Sequence, residues 1–295
     1  MNKSKKLLIV DGNSILNRAF YGIRPLTNSK GLNTHAVYGM INIISRQLNS
    51  IKPDYAAVAF DLKAPTFRHQ MYDGYKAGRN PTPPDLISQF PDAKECLSLM
   101  GLKVLELPGY EADDIQGTVA KMAHLEEDTE GYILSGDRDL LQLIDEKVTV
   151  LLATNSDTKV MTPDAFREEY GIDSSAFVDM KALMGDSSDN IPGVAGVGPK
   201  TAKDLLVKFG SLDGVYENLN DASIRPKLRE KLEAALARVV QSWGGGAIIS
   251  RWSRVNEAKI ICEHCGKMQY CELDEHTTEY CPCCGSQMLG GGMTV

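Results

Sequence analysis

Three short apolar runs end in aspartate: LLIV at Asp11, AVAF at Asp61 and YILSG at Asp137, with Asp139 just beyond. A further run, KVLEL, leads through Pro-Gly-Tyr into Glu111, Asp113 and Asp114, and the polar turn DSSDN carries Asp186 and Asp189. Taken singly, each acid has a local explanation as a turn residue, a helix N-cap or a complement to a helix dipole. Strand order, however, places seven of these nine acids at one edge of a sheet. Carboxylates brought together repel and raise one another's pKa. A fold keeps such a cluster when divalent cations neutralise it. Hard oxygen ligands suit Mg²⁺, or Mn²⁺ in its place. Two such ions about 4 Å apart suit hydrolysis of a phosphodiester. No Ser-His-Asp set competes, because none of the five histidines lies near a nucleophile motif.

The elements that must position these acids follow from periodicity. KLLIV (6–10), YAAVAF (55–60), KVLEL (103–107), YILS (132–135) and VTVLL (148–152) read as strands. Helical patterns intervene, as over 34–51, where Val37, Met40, Ile41, Ile44 and Leu48 share a face. Alternating strands and helices predict an α/β fold over 1–160, with a mostly parallel central sheet and helices on both faces. In such sheets ligands bind beyond the carboxyl ends of the strands, where these acids fall. From 162 onward the pattern predicts helices alone, filling a subdomain over 161–240 with helices near 200–209, 211–219 and 224–240. The triple glycine at 244–246 breaks the pattern, leaving a linker at 241–258 and a tail of different composition at 259–290.

Composition bounds the partners. The 295-residue chain has 43% hydrophobic residues, a net charge of −7 and no apolar run of membrane-spanning length. Its basic N-terminus has too short an apolar run for a signal peptide, so the expected location is the cytoplasm. The overall negative charge argues weakly against a nucleic-acid partner, but the charge is unevenly distributed. Lys63, Arg68, Lys76 and Arg79 cluster against a single Asp73, and Arg225, Lys227, Arg229 and Lys231 form a second basic run.

Two segments fit phosphate backbones. In GVGPKTAKDLL, Gly196 and Gly198 precede an amphipathic helix that opens on Lys200 and Thr201. The spacing is not that of a Walker loop, and no strand precedes it. It predicts a helix–hairpin–helix over 191–209 whose backbone N–H groups grip duplex phosphates without reading bases. The bland alternative is a plain helical hairpin. The segment 63–83 interleaves Phe67, Tyr72 and Tyr75 with Arg68, Lys76 and Arg79, as a single-strand channel would. Its bland alternative is a solvated basic loop.

Together, LIVDGNSILNRAFYG, AVAFDLKAPTFRHQMYDGYKAGR, GYEADDI, SGDRDLLQL and LMGDSSDNIPGVAGVGPKTA resemble the 5′ nuclease (flap endonuclease) superfamily. They are most similar to the 5′→3′ exonuclease domain of bacterial DNA polymerase I, over about residues 5–236. The resemblance implies a PIN-like core and two metal groups: Asp11, Asp61, Glu111 and Asp113, helped by Asp114, and Asp137, Asp139, Asp186 and Asp189. Lys76 and Arg79 would steer the scissile phosphate from the base of a helical arch at 63–83, with Tyr75 stacking on an unpaired base. A K⁺ ion would sit at carbonyls around Val194 to Val197. The implied activity is metal-dependent cleavage of DNA at flaps, nicks and 5′ ends in primer removal and repair, by a monomer that meets a polymerase and RNA–DNA primers. No polymerase follows, which implies a stand-alone nuclease or a truncated gene. The family's usual ending is not found after about Ala237. A branched-DNA-binding module without useful catalysis is the rival reading, and it leaves the full acid set without a purpose. An RNase of the related small nuclease fold explains neither the arch nor the hairpin.

Six of the seven cysteines fall between Cys262 and Cys284. Cys262, Cys265, Cys281 and Cys284 have C-x₂-C-x₁₅-C-x₂-C spacing, which predicts a structural Zn²⁺ site with four thiolates. The alternative is a junction segment that never folds. Cys96 stands apart and reads as packing.

Overall fold

The computed structural model describes residues 4–126, 128–154, 157–243, 257–261 and 268–272. Strand β1 (Lys5–Asp11) shows why the sheet forms. Leu8 and Val10 enter one hydrophobic layer and Leu7 and Ile9 the other, so the strand is apolar on both faces, as central parallel strands are. It pairs in parallel with β2 (Tyr55–Ala59), which pairs in parallel with β3 (Lys103–Leu105). On its other side it pairs in parallel with β4 (Thr129–Ser135), which continues to β5 (Val148–Ala153). An antiparallel edge strand, β6 (Thr158–Met161), completes the order β3-β2-β1-β4-β5-β6. The mostly parallel α/β sheet is thus as expected, and β6 is an addition that its short, polar sequence did not announce. Because β1 lies between β2 and β4, Asp11, Asp61 and Asp137 emerge side by side.

One face is covered by α1 (Gly12–Gly22), α2 (His35–Ile51) and, after the short α3 (Phe67–Met71) and α4 (Pro84–Ile87), by α5 (Gln89–Leu99). Ile15, Leu16, Met40, Ile44 and Leu97 bury themselves there, and Cys96 packs at the margin. The other face carries α6 (Ala112–Leu125), α7 (Pro163–Tyr170) and α8 (Phe177–Met184). Also in that layer are α9 (Pro199–Phe209), α10 (Leu212–Glu217) and α11 (Pro226–Trp243).

Two expectations are corrected. The region after 162 is not purely helical: β7 (Gly185–Asp186) and β8 (Ile191–Pro192) pair antiparallel and close the DSSDN turn. Nor is 63–83 a continuous helical arch: it is helical only at Phe67–Met71, followed by turns. A two-residue ladder and a glycine-punctuated loop leave no periodicity to read.

By itself, the C-terminal unit contains an antiparallel pair, β9 (Glu257–Ile261) and β10 (Met268–Glu272), with Met268 opposite Ile261. Cys262, Cys265, Cys281 and Cys284 lie outside the described residues.

The β7–β8 ladder depends on two glycines. Gly185 has φ +75°, and a Cβ on Gly193 would stand 2.2 Å from the Gly185 nitrogen and the Met184 carbonyl carbon. Those neighbours are backbone and cannot swing aside. Gly193→Ala is therefore expected to lower stability by about 1–3 kcal/mol, read by denaturant or thermal melting. A melt matching the parent protein would show that the ladder yields freely.

Candidate active site

Asp11 closes β1 and is also the N-cap of α1: its Oδ1 accepts the Ser14 N–H at 2.9 Å. Its Oδ2 accepts the Ser135 hydroxyl at 2.6 Å, and Ser135 Oγ accepts the Asp137 N–H at 2.9 Å. The ends of β1 and β4 are thereby tied together. Asp61 accepts the Ala112 N–H at 2.7 Å and donates its own N–H to Asn13 at 3.0 Å, which fixes the end of β2 against the starts of α6 and α1. Glu111 and Asp114 form a capping box at the α6 N-terminus. Two helices therefore aim their positive ends at the acids, and Asp11 and Glu111 hold local capping positions while also facing the cleft.

Eight of the nine expected acids line one open cleft of about 1820 Å³: Asp11, Asp61, Glu111, Asp113, Asp137, Asp139, Asp186 and Asp189. Asp114 does not. Its carboxylate takes both guanidinium nitrogens of Arg68 at 2.8 Å each and accepts the Glu111 N–H at 2.9 Å. The expected roles of Asp114 in helping a metal and of Arg68 in gripping DNA both give way to this two-bond pair, which anchors α3 to α6. Tyr75 is corrected too. The ring is 5% exposed, its hydroxyl donates to Glu111 Oε2 at 2.8 Å and His69 meets it edge-on. It is a wall of the cleft and offers no open face to a base.

Three cations of the cleft pair with acids that also line it. Lys76 Nζ is 2.8 Å from Glu111 Oε1, and Arg79 pairs with Asp189. Lys181, which the sequence reading overlooked, lies 2.8 Å from Asp139 and 2.7 Å from Asp186. Its position in the last turn of α8, just before Asp186, was the available signal. Ser135 and Asn13 were overlooked as well, since hydroxyl and amide side chains in turns are too common to stand out. Among the described residues no cation pairs with Asp11, Asp61, Asp113 or Asp137.

The electrostatics divide the acids accordingly. Burial pushes Asp11 up to about 6, against hydrogen bonds from Ser135 and Ser14, with Asp137 and Asp61 adding repulsion. Asp113 is raised well above the usual carboxylate range, first by burial and then by Asp11, Asp137 and Asp61. Asp139 rises to about 6 because burial and Asp137 outweigh Lys181. For Glu111 burial acts upward, but Lys76, Arg68 and Tyr75 prevail and hold it below its ordinary value. Asp186 is likewise held low by Lys181 and Ser188 in spite of burial.

The donor set fits a hard cation: Asp11, Asp61, Asp113 and Asp137 bring oxygen ligands and unbalanced negative charge. No three His, Cys, Asp or Glu side chains among the described residues stand close enough to grip one ion directly. An ion here would be held partly through water, as Mg²⁺ commonly is.

Gly196, Gly198, Lys200 and Thr201 lie outside this cleft, the glycines in the turn before α9 and Lys200 and Thr201 in its first turn. Gly196 has φ +75°, and Val197 donates its N–H to the Val194 carbonyl at 3.0 Å. Hairpin and carboxylates are separate features of one compact unit.

A parallel-sheet α/β core with an acidic cleft at its strand ends, followed by a helical subdomain, defines the class. The model of the 5′-3′ exonuclease N-terminal resolvase-like domain matches residues 6–171, and that of the 5′-3′ exonuclease C-terminal SAM fold matches 172–243. The chain belongs to the 5′-3′ exonuclease family. It is 46% identical over 235 residues to DNA polymerase I of Bacillus subtilis (strain 168), a stretch covering 79% of this chain and 26% of that protein. To the thermostable DNA polymerase I of Thermus thermophilus it is 43% identical over 240 residues, 80% of this chain and 28% of that one. The chain spans about a quarter of the length of these curated relatives. Among solved structures, the D15 flap endonuclease of bacteriophage T5, in a complex with DNA and metal ions, matches with a TM-score of 0.67 at 22% identity. That match covers 84% of this chain and 91% of that one, and it is a likeness of fold. No described helix is long and apolar enough to cross a membrane.

The raised acids set a pH dependence in metal-free protein. Between the unfolded carboxylate pKa near 4 and the folded value of about 6 for Asp11, the folded chain binds more protons than the unfolded one. This contribution to stability therefore falls as pH rises through that window. Asp11→Asn removes the charge, so the metal-free variant is expected to gain about 1–3 kcal/mol on the parent protein between pH 4 and pH 7.5. Denaturant melts with chelator at both pH values check this; a pH-independent difference would refute it.

Proposed function

We propose that this chain is a divalent-metal-dependent, structure-selective 5′ nuclease that hydrolyses DNA phosphodiester bonds at 5′ flaps, nicks and 5′ ends. The observation that carries this reading is the meeting of Asp11, Asp61, Asp113 and Asp137, none with a cationic partner among the described residues, in a cleft rimmed by Lys76 and Arg79. Mg²⁺ or Mn²⁺, two ions in all, would be held by Asp11, Asp61, Glu111 and Asp113 and by Asp137, Asp139, Asp186 and Asp189, supplying an activated water and charge for the leaving oxygen. Lys76 and Arg79 exchange Glu111 and Asp189 for the incoming phosphate and orient it. Arg68 and Asp114 hold the base of the 63–83 segment in place, and Ser135 keeps Asp11 and Asp137 in register. Gly196, Gly198, Lys200 and Thr201 hold duplex phosphates at a distance, with K⁺ at carbonyls of Val194 to Val197 as a further support. The substrates extend to RNA–DNA primers. The protein acts as a monomer beside a polymerase, and the four tail thiolates take one Zn²⁺ for stability.

A second reading draws support from the ion pairs that engage Glu111, Asp139, Asp186 and Asp189. It is a branched-DNA-binding module with weak catalysis and a regulatory zinc tail.

Cleavage of a 5′-labelled flapped duplex with and without Mg²⁺, resolved on a sequencing gel, separates the two. Mg²⁺-dependent products near the flap junction are expected, and binding without products selects the second reading. Asp137→Asn should cut turnover by at least about 100-fold, beyond what loss of a metal's outer support costs, while leaving DNA affinity intact. Unchanged turnover in that variant removes Asp137 from the chemistry.

A further inference from the structure

The basic run at 225–231 has no part in the cleft, yet one of its members reaches the hairpin. Lys231 is exposed on α11, and its Nζ lies 2.8 Å from where a Cβ on Gly196 would stand. Among the described residues this ammonium has no hydrogen bond or ion pair, so no carbonyl or carboxylate explains its placement. The geometry is set by packing. Leu232 and Ala235 of α11 are buried in the same cluster as Val194 and Val197 of the hairpin and Ala202, Leu205 and Leu206 of α9. Position 231 borders that buried stripe and is carried to the turn by it. Gly196, at φ +75° and without a side chain, leaves the room the ammonium uses. The first-turn N–H groups of α9 at Lys200 and Thr201 have no intrahelical acceptor and carry the positive end of the helix dipole.

We infer that Lys231 is a phosphate-binding residue of the hairpin: its ammonium and the Lys200 side of the α9 N-terminus approach the same phosphate of bound duplex DNA from opposite sides of the turn. The inference rests on the reading of the hairpin as a duplex grip and adds to it a side chain from another helix. It also gives the 225–231 run a direction. Lys227 lies one helical turn from Lys231 on the same face, so the positive stripe continues along the backbone of the duplex. Lys231 acts by positioning, since its ammonium reaches the hairpin from α11 and lies outside the cleft.

The test uses the full chain with chelator and a labelled nicked duplex, titrated by fluorescence anisotropy at several KCl concentrations between about 50 and 200 mM. Lys231→Ala should weaken binding roughly three- to tenfold and reduce the slope of log K against log salt by about 0.9, the share of one phosphate contact. Lys231→Arg should keep both. Lys103→Ala, which removes one charge from strand β3, should behave like the parent protein. In the cleavage assay Lys231→Ala should raise KM and leave kcat unchanged. Thermal melts matching the parent protein exclude a folding defect. An unchanged slope in Lys231→Ala overturns the inference, as does a weakened affinity that arginine does not rescue. Parent protein that holds no duplex at all overturns the hairpin reading itself, a result visible before any variant is measured.

Discussion

Like charge forced into one cleft is the condition that the rest of the molecule accommodates. Parallel pairing of β1 with both β2 and β4 delivers Asp11, Asp61 and Asp137 to neighbouring strand ends, and α6 adds Asp113 from its first turn. The apolar layers on both faces of β1 hold that register, because a slip of one residue would turn Leu8 and Val10 out of their layer. Stability from the core is thus spent on keeping carboxylates together. The two helix N-termini and the Ser135 bridge reduce the repulsion, and burial still raises Asp11 and Asp113. A site built this way is least comfortable when empty at neutral pH and is relieved by positive charge.

Part of that relief is built in. Residues 74–79 are zipped onto the 186–190 turn: Lys76 donates its N–H to the Asp189 carbonyl at 3.0 Å, Asn190 Nδ2 to Gly74 at 2.8 Å, and Arg79 Nε to Ser188 at 3.3 Å. The two non-glycine residues that meet here with left-handed backbone are Lys76 (φ 57°) and Asn190 (φ 59°). Each such residue costs on the order of 1–3 kcal/mol, and each hydrogen bond returns about 1 kcal/mol. The clasp is therefore close to balance. It holds Lys76 and Arg79 against Glu111 and Asp189 at the rim of the cleft.

How far the sequence could be read depends on the range of the interaction. The five parallel strands and the long helices were legible because burial on a fixed face writes a period into the chain. Seven of the acids were legible as a set because strand order places them, whereas Asp186 and Asp189 stood out only as a polar turn in a motif that carries the family resemblance. What was missed is pairing between distant segments. Arg68 looked like a free cation because nothing in FRHQMYDGYKAGR points to Asp114, and Tyr75 looked like an open stacking face until Glu111 claimed its hydroxyl. Lys181 was hidden for the opposite reason, since a lysine in the last turn of a helix is ordinary until the following turn folds back onto it.

Paired carboxylates and a glycine turn are neighbours in sequence at 186–201, yet only the carboxylates line the cleft. The β7–β8 ladder turns the acids toward the cleft, while Val194 and Val197 sink into the core and leave Gly196 at the surface. On the proposed reading, a carboxylate beside the hairpin would repel the phosphate held there, and a lysine paired with Asp11, Asp61, Asp113 or Asp137 would compete with a bound metal ion. The fold keeps the two chemistries apart by one short ladder. Under the proposed function, a distance set by packed backbone would fix how many nucleotides separate the phosphate held at the hairpin from the phosphate cut in the cleft.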